Sequence, residues 1–452
     1  ERNMASALKL TTVSTKLQRI AELARQSPKM GFTSLAYVID MEWLGEAYRR
    51  TRKDGAVSVD GQMAEMYAMT LEGNLQSLLD RAKSGTYQAP PVRRAHIPKG
   101  TGTETRPIGI PTFEDKILQR AVAMALEAVY EQDFLDCSYG FRPSRSAHQA
   151  LESLRNQIMA MKGGWILELD IRKFFDTMVH AHLQIFLRQR VRDGVLYRLV
   201  GKWLSAGVLE EGNVTYPEDG SPQGGLISPL LSNVYLHYVL DLWFEREVKP
   251  RMRGSAFLIR YADDAVMGFS REEDAQRVLE VLPKRFGRFG LTLHPTKTCM
   301  FQFCPPWRKD ATIGSDALRG RNSFDLLGFT HYWARSRQGY WVVKRKTSPQ
   351  RLSRSLQAIN QWCKSHRHQK VREQHQTLVR KLRGHYAYFG ITGNAEALCR
   401  FHYEVKRIWK KWLSRRSQRG YIDWPRFAAM LERYPLPAPT PIHSTHRPVA
   451  KR

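Results

Sequence analysis

The spacing of apolar residues changes twice along the chain. Up to about residue 75, apolar positions recur with the period of an α-helix, and a loop interrupts them between Gly55 and Gly61. One such run places four apolar side chains on a single helix face: Leu17, Ile20, Ala21 and Ala24. This pattern predicts a helical N-terminal extension over residues 1–75.

Between residues 76 and 335, short apolar runs alternate with helical stretches. Glycine pairs punctuate this region, including Gly163-Gly164 and Gly224-Gly225. Short strand-like runs mixed with helical runs are typical of an α+β body. We therefore expect residues 76–335 to form the part of the molecule that carries its chemistry.

Helical spacing returns between residues 336 and 418, where Leu352, Leu356 and Ile359 share one face. Residues 419–452 contain six prolines and few apolar runs, which predicts a short basic Pro-rich tail with one helix near residues 424–431. The predicted fold class is α+β, with helical segments on both sides of the mixed body.

Two adjacent carboxylates, Asp263 and Asp264, lie between apolar runs at residues 256–259 and 265–269. The two runs predict paired strands, so the carboxylates would lie at the turn of a hairpin. Acidic oxygens at such a turn are typical of a divalent metal site. Adjacent aspartates also occur in ordinary turns, where they cap backbone amides.

A third carboxylate supports the metal hypothesis. Residues 165–170 predict a strand with Glu168 and Asp170 on one face. Two divalent ions that clamp the attacking and leaving oxygens of a phosphoryl transfer need several acidic ligands. Asp170, Asp263 and Asp264 are therefore predicted to hold two Mg²⁺ ions in a polymerase active site, because Mg²⁺ prefers hard oxygen ligands and shares its shell with substrate phosphates.

The charge balance predicts a polyanionic partner. The chain has 71 Lys and Arg against 43 Asp and Glu, a net charge of +28. Residues 331–452 alone contain 27 basic and five acidic residues, interleaved with aromatic side chains. This composition is typical of a helical surface that binds nucleic-acid phosphates. A ribosomal protein, a membrane-surface binder, or a solvated basic face over core aromatics would share it.

The five cysteines show neither zinc-ligand spacing nor a disulfide framework, so we expect a reducing, cytoplasmic location. No apolar run reaches the roughly 18 residues that a membrane-spanning helix needs. We therefore predict no membrane partner.

Ordered sequence blocks resemble those of one enzyme family. Residues 221–233 read SPQGGLISPLLSN, and the tetrapeptide YADD follows at residues 261–264. These blocks resemble bacterial group II intron-encoded reverse transcriptases, which are also maturases, and the similarity extends from roughly residue 89 to 419. The resemblance implies a right-hand polymerase, with fingers and palm over 76–335, a thumb/maturase domain over 336–418, and a tail that contacts DNA.

The resemblance also implies nucleotide-binding roles. Lys99 and Arg106 fall in the block that corresponds to a fingers hairpin and would hold the triphosphate, since cations stabilise its developing charge. Phe175 matches the aromatic position that lies against the nucleotide sugar and excludes a 2′-hydroxyl. Gln223 and Gly224 would lie beside the nucleotide and template, where glycine permits close backbone approach.

Further roles follow from the same comparison. Lys297 corresponds to the palm lysine that protonates the leaving pyrophosphate, although an ordinary exposed lysine is the alternative. Arg142 would contact template RNA or else belong to a structural turn, and Asp176 is expected to cap the following helix. Residues 324–329 resemble a primer grip, and residues 382–389 resemble the helix that binds intron RNA.

The implied function is RNA-directed DNA synthesis together with assistance to group II intron splicing and mobility. The expected partners are an RNA template, a DNA or RNA primer, dNTPs, group II intron RNA and target DNA. Only 33 residues follow Arg419, so an appended HNH endonuclease is not expected. The rival hypotheses are a domesticated reverse transcriptase of repair or phage defence and a non-catalytic RNA-binding splicing factor.

Overall fold

The computed structural model describes residues 2–98, 105–210, 212–216, 220, 224–308, 322–417 and 420–443. The chain divides into two compact units. The first unit comprises Glu1–Gln157 and Gly164–Phe301, and the second comprises Ile158–Gly163 and Gln302–Arg452. The domain boundaries predicted from the sequence stay predictions.

Helices and strands are numbered in chain order. The helices are α1 (Arg2–Gln26), α2 (Met41–Arg50), α3 (Ala64–Ala68), α4 (Leu71–Ser84), α5 (Phe113–Tyr130), α6 (Ala147–Ala160), α7 (Phe174–Thr177), α8 (His180–Arg190), α9 (Gly194–Leu204), α10 (Ser228–Leu236), α11 (Glu272–Gly287), α12 (Pro349–Ser365), α13 (Val371–Phe389), α14 (Ala395–Leu413) and α15 (Trp424–Arg433). The strands are β1 (Val92–Pro98), β2 (Thr105–Ile110), β3 (Gly164–Leu169), β4 (Val208–Glu210), β5 (Asn213–Thr215), β6 (Ala256–Tyr261), β7 (Asp264–Phe269), β8 (Cys299–Phe303), β9 (Ser323–Leu326), β10 (Phe329–Arg335) and β11 (Trp341–Thr347).

The N-terminal helices of the first unit pack against α5. Asp40 caps α2 by accepting a hydrogen bond from the Trp43 amide, as short acidic side chains do at helix starts. The indole of Trp43 is fully buried and donates to the Ala121 carbonyl at 2.9 Å. Most of α5 is buried, so this helix forms the centre of the first unit's core.

Two sheets belong to the first unit. One has the order β2-β1-β4-β5, in which β1 and β2 are antiparallel and β1 runs parallel to β4. The other has the order β6-β7-β3-β8 and antiparallel pairing around β7. Strand β7 is buried from Ala265 to Phe269, and α11 packs against β3 and β7. This second sheet carries the acidic residues singled out above.

The second unit begins with the meander β9-β10-β11 and continues with α12 to α15. Its core includes Leu378, Leu382 and Trp409, which the helical spacing of the sequence places on inner faces. The buried amide of Asn394 donates to Thr347 Oγ1 and to the Phe389 carbonyl, which joins the meander to α13. The predicted α+β fold class is confirmed, as is the short helix near residue 424.

Two local expectations are wrong. Asp176 does not cap the helix that follows it, because α8 begins after Val179 while Asp176 lies inside the one-turn helix α7. Arg142 does not face template RNA, because its buried guanidinium donates to Glu131 and to the carbonyls of Leu135 and Ser138. The structural turn, the alternative for this block, is what forms.

Within the described part of the chain, all helices are too short or too polar to cross a lipid bilayer.

Candidate active site

Asp170, Asp263 and Asp264 lie at one end of the sheet β6-β7-β3-β8, where its strands terminate. This end of the sheet is called the acidic edge. Strand β3 pairs with β7 so that Leu169 lies opposite Ala265. Asp170 directly follows Leu169, and Asp264 directly precedes Ala265. Because the two strands are antiparallel, both carboxylates emerge where the sheet ends. Most of the remaining residues of the two strands are buried, which leaves this edge for polar side chains.

Asp263 lies in the tight turn between β6 and β7. Tyr261 pairs with Asp264, so Ala262 and Asp263 form a two-residue hairpin loop. Ala262 has a φ of 58°, as the first loop residue of such hairpins requires. Asp263 is half-buried and Asp264 is exposed. The predicted hairpin is therefore present, with both carboxylates at its tip.

Lys297 contacts Asp170 directly. Its Nζ lies 3.2 Å from Asp170 Oδ2, and the lysine side chain is 55% exposed. A short segment holds it there: the Asp170 carbonyl accepts from the His294 amide at 2.8 Å, and the Arg172 amide donates to the Thr292 carbonyl at 2.8 Å. The structure thus brings together two of the residues predicted to take part in catalysis, although they are far apart in sequence.

A buried arginine supports the turn from below. Arg260 is fully buried and forms a bidentate ion pair with Asp241 at 2.7 and 2.6 Å. Its remaining hydrogen bonds go to Asn233 Oδ1, Ser138 Oγ and the Ala262 carbonyl at 2.8 to 3.0 Å. Burial alone lowers the pKa of an arginine, but the Asp241 carboxylate more than offsets this and raises the pKa of Arg260. The guanidinium is therefore a fixed cation beneath the hairpin tip.

Two other sequence blocks converge on the same turn. Gly140 lies so close that an added Cβ would be 2.3 Å from the Ala262 amide nitrogen. The Gly140 carbonyl accepts a hydrogen bond from Asn233 Nδ2 at 2.7 Å. The blocks at residues 138–143 and 221–233 thus contribute to the support of the hairpin, and glycine is required because any side chain would displace the turn.

The candidate nucleotide-binding residues lie on other elements. Arg106 is exposed on β2, opposite Ile97 of β1. Gly224 has a φ of 117°, and a Cβ at this position would be 2.3 Å from the Gly109 carbonyl oxygen of β2. Arg106 and Gly224 are thus associated with one strand. Lys99 and Gln223 lie outside the residues that the structure describes.

Phe175 lies in α7, five residues after Asp170. Its ring is half-buried and packs edge-on against Phe174, with the ring centroids 5.5 Å apart. Phe174 is the buried core residue of this pair, at 2% exposure, and packs on Tyr235. Part of the Phe175 ring is therefore exposed to solvent, and the residue is close in sequence to the Asp170 carboxylate.

Sequence reasoning missed the supporting residues Arg260, Asp241 and Asn233. A signal was present, because a lone arginine interrupts the apolar strand β6 and a lone aspartate interrupts the apolar stretch after α10. A charge in such a run is typical of a buried ion pair. Only the structure shows that the two charges meet.

The acidic edge was predicted from the sequence to bind metal. Among the described residues, no group of three or more His, Cys, Asp or Glu side chains is arranged around a common metal position. The carboxylate oxygens of Asp170, Asp263 and Asp264 are nevertheless the hard donors that Mg²⁺ takes together with water and substrate phosphates. The contact of Asp170 with the Lys297 ammonium shows that this carboxylate already attracts a cation.

The second unit combines basic side chains with core and surface aromatics. Tyr386, Phe389 and Trp409 are buried, so for these rings the interpretation as core aromatics is correct. Trp424 and Tyr421 are exposed, and Lys410 Nζ lies 5.0 Å from the centroid of each ring. Residues 324–329 form the β9-β10 hairpin, whose Leu327 carbonyl accepts from Tyr388 Oη at 2.8 Å.

The chain matches known proteins over much of its length. Residues 97–331 match the family described as reverse transcriptase (RNA-dependent DNA polymerase). Protein YkfC of Escherichia coli K12 is 38% identical over 248 residues, which cover 53% of this chain and 65% of that protein. Group II intron-encoded protein LtrA of Lactococcus lactis is 34% identical over 280 residues, 60% of this chain and 46% of LtrA.

A plant protein extends the comparison. Nuclear intron maturase 4 of Arabidopsis thaliana is 30% identical over 128 residues, 28% of this chain and 16% of that protein. Each alignment therefore spans less than two thirds of the relative's own length. The family match, by contrast, covers the acidic edge, Lys297 and strand β2. The chain belongs to the reverse transcriptase (RNA-dependent DNA polymerase) family.

Proposed function

We propose that the protein is an RNA-directed DNA polymerase that extends a DNA or RNA primer on an RNA template. The observation that supports this proposal is the acidic edge, where the strand register brings Asp170, Asp263 and Asp264 to one end of the sheet and Lys297 contacts Asp170, in a chain of the reverse transcriptase family. Phosphoryl transfer needs positioned oxygens and cations more than covalent chemistry, and this edge supplies both.

Asp170 and Asp263, assisted by Asp264, would hold two Mg²⁺ ions. The chemistry that Mg²⁺ would supply there is a lower pKa of the primer 3′-hydroxyl and neutralisation of charge on the leaving pyrophosphate. The buried Arg260–Asp241 pair fixes the hairpin tip, so Asp263 and Asp264 approach the substrate without reorganisation. The hairpin geometry therefore contributes preorganisation as well as ligands.

Lys297 is the proposed general acid. Its contact with Asp170 supports this role, because a proton donor beside a metal-binding carboxylate would be close to the leaving pyrophosphate. Lys99 and Arg106 would hold the triphosphate, and Gln223 and Gly224 would lie beside the base pair that is being formed. Phe175, which is partly exposed, would lie against the sugar and exclude a 2′-hydroxyl.

The same chain is proposed to act as a maturase on group II intron RNA. Support comes from the relatives named as a group II intron-encoded protein and an intron maturase, and from the basic second unit. Exposed Lys and Arg beside exposed rings suit RNA, whose phosphates and unstacked bases they can bind. Target DNA would be a further partner during intron mobility.

Primer extension tests the proposal. Full-length protein is incubated with an RNA template, a 5′-labelled DNA primer, dNTPs and Mg²⁺, and wild type is compared with Asp170→Asn and Asp263→Asn. We expect extension by wild type, loss in both variants because each removes a metal-binding charge, and RNA affinity within about twofold, since these carboxylates bind no RNA phosphate.

Asp176→Asn is the matched control, because Asp176 is an exposed aspartate on the neighbouring helix α7. It should extend primers like wild type. Extension retained by Asp170→Asn or Asp263→Asn would refute the site assignment. A wild-type protein that binds the template but never extends the primer would favour the non-catalytic splicing factor.

A further inference from the structure

A carboxylate is buried inside the first unit behind the loop at residues 224–227. Asp115 lies in the first turn of α5 and is 2% exposed. Its Oδ1 accepts hydrogen bonds from Tyr87 Oη at 2.5 Å and from Trp203 Nε1 at 2.7 Å. Its Oδ2 accepts from Gln119 Nε2 at 3.0 Å. Burial raises the pKa of Asp115 to about 6, so at the pH of a polymerase assay near 8 it is the ionised, acceptor-only form.

The network continues from Asp115 to the loop through one side chain. Gln119 is buried, and its Oε1 accepts a hydrogen bond from the Ile227 amide at 3.4 Å. An amide side chain has one donor end and one acceptor end. The Asp115 carboxylate takes the donor end, which leaves the acceptor end facing Ile227. The ionised carboxylate therefore fixes which way the Gln119 amide points.

The loop at residues 224–227 is held from a second side. Gly224 packs against the Gly109 carbonyl of β2 so closely that no side chain fits between them. A cavity of about 10 Å³ lies behind the loop, lined by Asp115, Gln119, Trp203, Gly225 and Ile227 among others. This space is at most the size of one water molecule. The loop is therefore clamped between β2 and the buried network.

We propose that Gln119, oriented by Asp115, is a positioning residue that sets the loop at residues 224–227 for dNTP binding. The inference rests on the proposed polymerase function. Neither side chain touches the substrate, because both are buried behind the loop. Their effect is to keep the Ile227 amide, and with it the backbone just after Gly224, in one place.

Because each hydrogen bond has a defined donor and acceptor, the donor and acceptor groups at positions 115 and 119 can be exchanged by mutation. In Asp115→Asn, the new side-chain oxygen still accepts from Trp203 Nε1, which can only donate. The new amide nitrogen then faces Gln119 and forces the Gln119 amide to flip, so a donor meets the donor of Ile227. In Gln119→Glu, two carboxylates face each other. A proton shared between them would rebuild the hydrogen bond, so this variant is measured at pH 8 and at pH 9, and the higher pH is decisive. Each single variant therefore breaks the chain of hydrogen bonds from Asp115 through Gln119 to the Ile227 amide, which is called the relay.

The double variant Asp115→Asn, Gln119→Glu restores every bond with nearly unchanged volume and net charge. The amide at position 115 donates to one carboxylate oxygen at position 119, and the other oxygen accepts from Ile227. We expect each single variant to raise the KM for dNTP about tenfold, the typical effect of one unpaired buried polar group. The double variant should return the KM to within about threefold of wild type, with kcat similar in all four proteins.

Hydrogen exchange provides a readout that does not depend on catalysis. A peptide that contains the Ile227 amide should lose protection in both single variants and regain it in the double variant. If wild type fails to extend a primer but the exchange pattern follows this order, the polymerase proposal fails while the relay stands. If wild type extends but the double variant matches the single variants in KM and exchange, the relay is refuted.

Gln119→Leu covers the case in which a swapped variant does not fold. Leucine keeps apolar packing against α10 but leaves both the Asp115 oxygen and the Ile227 amide unpaired. We expect a raised KM for dNTP with kcat within about threefold of wild type. A KM equal to wild type in a folded Gln119→Leu protein would overturn the proposal.

Discussion

At the scale of single residues, the contact between Lys297 and Asp170 is the most informative. Both side chains are partly exposed, and a surface ion pair contributes at most about 1 kcal/mol to stability. The pair is therefore not needed for folding. The lysine, 3.2 Å from a predicted metal ligand, lies where the proposed general acid would have to be.

Replacing Lys297 with glutamine should slow the chemical step. Loss of general acid assistance costs about 10²-fold or more in rate, whereas dNTP binding, which Lys297 does not provide, should change little. Single-turnover primer extension measures the rate and the dNTP dependence separately. Lys284→Gln, an exposed lysine on α11, is the control and should match wild type. A Lys297→Gln rate within twofold of wild type would exclude the acid role.

One histidine of the second unit, His385, should lower the stability of the fold in acid. Burial against the Phe401 ring lowers the pKa of His385 to about 4, from an ordinary value of 6.5. A lowered histidine pKa means that the fold favours the neutral form. Its contribution to stability is therefore full above pH 6.5 and is lost as the pH falls from 6.5 towards 4.

Between pH 7.5 and 5.5 this single group should cost about 1 kcal/mol of unfolding free energy. Urea unfolding of wild type and His385→Leu at the two pH values measures it, and the variant should lose less stability than wild type on acidification. The exposed His368 provides the control, since His368→Leu should keep the wild-type pH dependence. Equal losses in wild type and His385→Leu would contradict the assignment.

At the scale of elements, the β6-β7 hairpin depends on a buried ion pair. Arg260 and Asp241 have no exposed side-chain surface, and Arg260 also holds the Ala262 carbonyl of the turn. Removing one member of such a pair costs much unfolding free energy, because the buried charge that remains has neither water nor a counter-ion. The hairpin tip is thus coupled to the helical stretch that contains Asp241.

Arg260→Met should therefore destabilise the first unit by about 3–5 kcal/mol, since it leaves the Asp241 carboxylate unpaired. The double variant Arg260→Met, Asp241→Leu should recover a large part of this loss. Urea unfolding followed by fluorescence measures both. Arg277→Met, on the exposed face of α11, is the matched control and should be within about 0.5 kcal/mol of wild type. Equal stability of the single and double variants would argue against a stranded charge.

At the scale of the whole molecule, the net charge of +28 governs binding to polyanions. Residues 331–452 contain most of that excess, and their exposed arginines include Arg383 on α13. Each phosphate that a cation neutralises releases bound counter-ions, so affinity depends steeply on salt. Contacts with phosphates raise the affinity for RNA without favouring any RNA sequence.

RNA affinity should fall by at least about 10³-fold between 50 and 200 mM salt if six or more phosphates are contacted. Arg383→Gln should lower the slope of log K against log salt by about one if this arginine binds a phosphate. Filter binding or fluorescence anisotropy over a salt series measures the slope. Arg277→Gln, on a helix rich in glutamate, should leave it unchanged. A salt-independent affinity would contradict phosphate recognition.

The sequence predicted the helices and strands more completely than the side-chain contacts between them. Strand β3, the hairpin at residues 261–264 and helix α15 follow from local patterns, because apolar period and turn chemistry act over a few residues. The wrong expectations for Asp176 and Arg142 have a common cause. Neither local sequence nor the family block reveals that Val179 precedes α8 or that Glu131 of another element pairs with Arg142.

By itself, the sequence determined the α+β fold class, the main strands and helices, and the family, since ordered blocks such as SPQGGLISPLLSN and YADD are local signals. Only the tertiary structure decided which distant groups meet. Lys297 reaches Asp170 across 127 residues, and the Ile227 amide reaches Gln119 across 108. No periodicity encodes such pairs, because they depend on how the whole chain closes and packs. A buried charge such as Asp115 or Arg260 is tolerated only where that packing delivers its partners.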